Sequence, residues 1–245
     1  NMKTLLRFIA LILALIVAMA GGYAVYGLWV PGHSARWPPP PLSSEETLLS
    51  ARLKADIAAI ASEPHNVQRP AALARSAAAV EAAFRDIGYA PQSQVFDTAG
   101  VQVRNIFVTI EPSSNVKSTL VIGGHYDAAL DAPGANDNAS GTAAAIELSR
   151  VLKDYRPRDT RLIFVAFVNE EAPYWGSPEH GARRFAEMLR ARGEPVRGML
   201  SLETIGWFSD APGSQKYPAP FSSIYPDTGN FVAFVGMPGS REFLH

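Results

Sequence analysis

The sequence contains no cysteine. No disulfide framework can therefore support the fold, and no thiolate is available to bind a metal. The cysteine count does not fix the compartment. Net charge is also nearly absent, at −1, which leaves no electrostatic reason to expect nucleic acid as a partner. No internal repeat is visible. The third absence is local: Phe8–Val30 holds no charged side chain, while Lys3 and Arg7 precede it. A run of that length can cross the hydrocarbon core as a helix. The basic flank favours a cytoplasmic amino terminus and export of the remaining chain. A cleaved signal peptide is the rival reading, because Ala18–Ala20 resembles a small-residue cleavage site. The continuation of the run through Tyr23, Val25, Leu28, Trp29 and Val30 favours a retained anchor. Both readings place the remainder outside the cytoplasm, periplasmic or extracellular.

Residues 1–30 thus read as a membrane anchor or signal segment. Residues 31–42 read as a stiff linker, since Pro38–Pro41 lack backbone donors and fix φ. About 200 residues remain, enough for one sizeable core. Ser43 and Glu46 have capping-box spacing, and apolar residues at Leu48, Leu49, Leu53, Ile57 and Ile60 predict a helix. A second helix is expected over Ala72–Ile87, ended by Gly88 as a left-handed cap. Ser93–Phe96 and Gln102–Ile110 read as strands around a turn at Thr98–Gly100. From Thr119 the order is strand, loop, helix (Gly141–Leu152), strand, loop, helix (roughly His180–Ala191), strand. This alternation predicts an α/β fold with a mixed, mainly parallel central sheet flanked by helices.

Acidic and histidine residues cluster just past the apolar runs. His125 and Asp127 follow Thr119–Gly124, Glu170 and Glu171 follow Leu162–Val168, and Glu203 follows Gly198–Leu202. Asp137 sits in the loop Gly134–Gly141. Charged groups beside buried strands are costly unless something pairs them, and α/β sheets gather ligands beyond the carboxyl ends of their strands. The set reads as a metal site. Taken singly, each element also has an ordinary explanation: a surface His with a solvated Asp, a helix-capping Asp137, a solvated Glu170–Glu171 turn, or a Glu203–Arg ion pair. Taken together they can supply most of what a hydrolytic zinc centre needs. Zinc takes imidazole nitrogen and carboxylate oxygen. Two ions roughly 3.5–4 Å apart need a bridging carboxylate, further ligands on each, and a carboxylate left to move protons. Asp127, two residues past His125, is expected to accept from the second ring nitrogen.

These motifs resemble the exported zinc aminopeptidase family, which also contains glutaminyl cyclases and the transferrin receptor ectodomain. The resemblance runs from about Ser43 to the end, through His125–Asp127, Gly134–Gly141, Asn169–Glu171 and Leu202–Gly206. It implies metal-dependent hydrolysis at the amino terminus of peptides, with two Zn2+ per complete domain and peptide as the partner. By this resemblance His125, Asp137, Glu171 and Glu203 are metal ligands, Asp137 bridges, Asp127 orients His125, and Glu170 is the general base acting on zinc-activated water. Glutaminyl cyclase-like acyl transfer and a non-catalytic binding ectodomain are the alternatives. The family's last ligand is a His beyond the fourth motif, and neither His245, His180, His65 nor His33 has the surroundings expected of it. Residues 43–245 are accordingly read as a zinc peptidase domain incomplete at its carboxyl end. The aromatic-rich residues 207–230 read equally as a pocket wall and as a self-packed surface loop. Side-chain preference and oligomeric state leave no signature.

Overall fold

The computed structural model describes residues 2–28, 40–240 and 243. Most of the proline linker, with His33, lies outside the described residues, as does His245. The chain forms two units, Leu42–Val232 and a second made of the two ends. In that second unit, helix α1 (Met2–Leu28) has its described side chains exposed and is long and apolar enough to cross a membrane.

The larger unit begins at α2 (Ser44–Ile60). Its capping box is formed: Glu46 N donates to Ser43 Oγ (3.2 Å), and Ser43 N donates to Glu46 Oε2 (2.7 Å). Helix α3 spans Pro70–Ile87, two residues earlier than the apolar pattern predicts. Proline at the first helical position loses no intrahelical bond, so it opens the helix rather than blocking it. Leu73, Ala77, Val80, Phe84 and Ile87 recur at helical spacing and are all buried. Gly88, at φ 95°, ends the helix in the left-handed conformation.

Five strands come next: β1 (Gln92–Thr98), β2 (Val101–Ile110), β3 (Ser118–His125), β4 (Thr160–Phe167) and β5 (Val196–Ser201). They form one sheet in the order β1-β2-β4-β3-β5. Strand β2 runs antiparallel to both its neighbours, while β3 pairs in parallel with β4 and β5. Four of the five strands therefore point the same way, and the early hairpin makes the sheet mixed. Helices α4 (Ser140–Val151) and α5 (Gly181–Ala191) complete the unit.

Strand β4 explains the layering. Its Leu162, Phe164 and Ala166 join Leu73, Phe84, Val108 and Ile146 in one core. Its Ile163, Val165 and Phe167 join Phe107, Phe185 and Leu189 in another. Side chains alternate across a strand, so a continuously apolar strand requires cover on both faces. Helices α3 and α4 supply one cover and α5 the other, with Phe185 edge-on to Phe107 at 5.1 Å. The parallel strands β3, β4 and β5 consequently deliver their carboxyl ends to one edge, with β3 in the middle.

Candidate metal centre

Each of those three strand ends leads into an acidic residue. Strand β3 stops at His125, which is 3% exposed. The next loop reaches Asp137 through Gly134 and a single wide turn, Ala135–Ala139, in which Asp137 and Asn138 leave helical geometry. That departure turns the Asp137 carboxylate back to the strand end, where Oδ1 lies 3.1 Å from His125 Nε2. After β4, Asn169 takes a left-handed conformation (φ 60°) and presents Glu170 and Glu171. Asparagine tolerates this region better than most residues. After β5, Glu203 brings Oε1 to 3.4 Å from His125 Nε2, and Glu170 Oε2 stands at 3.7 Å. His125, Asp137 and Glu171 also offer ligand atoms that all lie within 4.8 Å of one another.

Asp127 does more than its predicted task, and does that task differently. His125 Nδ1 is 3.0 Å from the Asp127 carbonyl oxygen, whereas the Asp127 carboxylate is 3.5 Å from it. The expectation relied on strand alternation, but β3 has ended at residue 125, so the chain already turns. Both carboxylate oxygens instead accept backbone N–H groups from the next loop, from Glu170 at 3.1 Å and Glu171 at 3.2 Å. Asp127, itself 3% exposed, thereby fastens the β4 loop to the β3 loop.

The amides of the glycine-rich loop carry a structural role that the sequence pattern attached only to Asp137. Asn138 donates through Nδ2 to the Leu202 carbonyl (2.9 Å) and accepts at Oδ1 from Gly141 N (3.0 Å) and Thr204 N (3.2 Å). Asn136 Oδ1 accepts from Gly206 N at 2.9 Å. Thr142 Oγ1 donates to the His125 carbonyl at 2.8 Å. Glu203 is thus gripped on both sides by the loop that bears Asp137. Two asparagines flanking the aspartate were the available signal, since short amide side chains bond readily to nearby backbone. Among the described residues, Glu203 pairs with His125 and with no arginine.

Electrostatics follow from the crowding. Burial by itself would lower the His125 pKa, but the Asp127 and Glu203 carboxylates beside the ring outweigh it and push the value up to about 11. Burial raises Glu170, and burial together with the Asp137 charge raises Glu171 to about 6. One imidazole nitrogen and carboxylates from three loops form a donor set that suits zinc, and they lack any lysine or arginine partner among the described ion pairs. A metal bound here must displace a proton from His125, because the imidazole ligates only when its nitrogen is free. The expected result is proton release on binding at pH 7, with affinity rising as pH rises. Calorimetry in buffers of differing ionisation enthalpy reads this directly, and proton-free binding at pH 7 would contradict it.

Among the described residues, neither of the other two histidines joins the cluster around His125 Nε2. His65 is buried and bonded to main-chain carbonyls of Glu63 and Tyr126. His180 stands at the N-cap position of α5 without a side-chain capping bond, and burial lowers its pKa.

Residues 105–231 match the model of peptidase family M28. The chain belongs to that family. A relative in sequence, the uncharacterized protein YfbL of Escherichia coli K12, is 39% identical over 173 residues, covering 67% of this chain and 52% of its own length. A probable zinc metalloprotease of Leptosphaeria maculans is 38% identical over 114 residues, covering 43% of this chain and 25% of its own. The M28 chain therefore spans about half the length of the first and a quarter of the second. Among solved structures, an Acidobacteriales glutaminyl cyclase superposes with a TM-score of 0.55 at 20% identity, over 76% of this chain and 68% of that one. The LapA aminopeptidase of Legionella pneumophila gives 0.54 at 18% identity, over 72% and 50%. At such identities the superpositions establish the fold, a zinc-exopeptidase-like mixed sheet flanked by helices.

Proposed function

We propose that this M28 chain carries the centre of a zinc-dependent aminopeptidase that hydrolyses the first peptide bond of its substrates. The observation that carries the reading is the convergence of Asp137, Glu170 and Glu203, from three separate loops, within 3.1–3.7 Å of one buried imidazole nitrogen. His125, Asp137 and Glu203 would hold one zinc, and Asp137 with Glu171 would contribute to a second. Bound zinc would supply Lewis acidity and make water nucleophilic at neutral pH.

The chain's own groups then divide the remaining work. Glu170 takes the proton of the attacking water on its carboxylate and returns it to the departing amine. Its raised pKa, caused first by burial, brings it nearer the range where it both accepts and releases a proton. Asp127 keeps Glu170 and Glu171 in place by holding their backbone N–H groups. The apolar helix α1 supports a membrane-anchored enzyme with its catalytic unit on the extracytoplasmic side. Cleavage to a secreted form is the competing outcome, read from the mature amino terminus.

Zinc per chain on the full-length protein in detergent, after exhaustive dialysis, tests the centre. Release of the first residue from unblocked peptides tests the activity. Near two zincs with amino-terminal hydrolysis is the expected result. Ammonia release from peptides beginning with Gln would instead assign acyl transfer of the glutaminyl cyclase type. Zinc binding without turnover would assign a binding ectodomain, and no zinc at all would overturn the centre.

A further inference from the structure

The connection between α2 and α3 lies outside the residues matched by the family model, yet it is bonded to the loop just past His125. His65 is 1% exposed. Its Nδ1 is 2.7 Å from the Glu63 carbonyl, and its Nε2 contacts the Tyr126 carbonyl. Its own carbonyl accepts from Ala128 N at 2.9 Å. Asn66 Nδ2 donates to the carbonyls of Ala128 (3.1 Å) and Leu130 (2.8 Å). Arg69 reaches the Leu130 carbonyl at 2.8 Å and pairs with Asp131. Both ring nitrogens of His65 face carbonyl oxygens, and with the proton on Nε2 the ring donates to the Tyr126 carbonyl.

We propose that His65 and Asn66 form a positioning clamp that sets the geometry of the metal centre through Asp127. This rests on the zinc-centre reading above. Besides Leu130, the clamp holds residues 126 and 128, on either side of Asp127. Asp127 in turn offers its carbonyl to His125 Nδ1 and its carboxylate to the backbone of Glu170 and Glu171. Three consecutive backbone groups therefore connect a buried histidine to one ligand, the base and a second ligand. Removing the His65 donor leaves the Tyr126 carbonyl unpaired in the interior, and a buried carbonyl without a partner reorients to find one. The Asp127 peptide turns with it. The hydrogen bonds of His65 go to main-chain groups and not to the metal-binding side chains, so its effect reaches them through the backbone of residues 126–128.

The test uses full-length protein in detergent, with Zn2+ affinity from competition against a chromophoric chelator and the visible spectrum of bound Co2+. His65→Leu should weaken Zn2+ binding by about 10-fold or more, the range seen when groups behind a ligand are lost, and should change the Co2+ spectrum. His65→Gln, whose amide still donates toward the Tyr126 carbonyl, should recover most of the affinity. Asn66→Ala should weaken Zn2+ binding in the same direction, and it decides the matter should His65→Leu fail to fold. Wild-type affinity and spectrum in folded His65→Gln and Asn66→Ala, together with either the same in His65→Leu or its failure to fold, would overturn the clamp while leaving the zinc centre intact. A wild-type chain that binds no Zn2+ would overturn the centre itself, and the clamp with it.

Discussion

Replacing Glu170 by glutamine is expected to leave zinc content unchanged and to cut kcat by about 10²–10⁴-fold, the usual contribution of a positioned general base. The two halves of this result have separate causes. Zinc is retained because Glu170 is the most distant of the three carboxylates measured from His125 Nε2, at 3.7 Å. What Asp127 holds is the backbone N–H of Glu170, which the substitution leaves alone. Turnover falls because the amide has the same shape and cannot accept a proton. Glu171→Gln gives the contrast. One of its carboxylate oxygens lies within 4.8 Å of ligand atoms of His125 and Asp137, close enough to share an ion, so that variant should lose metal and activity together. Elemental analysis and kcat measured on the same preparations separate the roles. Near-normal kcat in Glu170→Gln would remove the base assignment, and loss of zinc there would make Glu170 a ligand.

The placement of Glu170 and Glu171 beside His125 was legible from the sequence through their position after a very apolar strand, and the layering was legible for the same reason. A strand apolar on both faces, as Leu162–Phe167 is, can only be central, and the helices before and after it had to cover it. The capping box at Ser43 and the left-handed Gly88 are local signals and appear where predicted. Strand ends were less legible. Gln92 and Gln94 belong to β1 by backbone pairing while their side chains face outward or bond sideways, as Gln94 does to Arg184 and Asn105. Side-chain polarity says little about an edge strand. The role of Asp127 was half visible. Its proximity to His125 follows from spacing, but its grip on residues 170 and 171 needs a partner more than forty positions away. The same holds for His65, whose partner Tyr126 is 61 positions distant. Contacts of that range have no periodicity to betray them.

Gly141→Ala should damage the centre from a position that carries no chemistry. A Cβ on Gly141 would stand 2.0 Å from the Leu202 carbonyl oxygen and 2.5 Å from Asn138 Oδ1, far inside van der Waals contact. Neither neighbour is a flexible side-chain tip. The Leu202 carbonyl is backbone and accepts from Asn138 Nδ2, while Asn138 Oδ1 is fixed by Gly141 N and Thr204 N. Relief requires the end of β5 to move away from α4, and Glu203 moves with it because it lies between Leu202 and Thr204. Overpacking of this kind costs about 1–3 kcal/mol. The larger effect should be on zinc, with affinity falling by at least about 10-fold as Glu203 leaves its position beside His125. Gly193→Ala is the control. Its φ of +66° also disfavours a side chain, but nothing lies within 4 Å of the added atom. That substitution should lower stability by about 1–2 kcal/mol and leave zinc binding untouched. Urea unfolding of the two variants, paired with chelator competition, distinguishes backbone strain from displacement of a ligand. Zinc affinity in Gly141→Ala within twofold of wild type would mean that Glu203 does not depend on this contact, and its place beside His125 would need another cause.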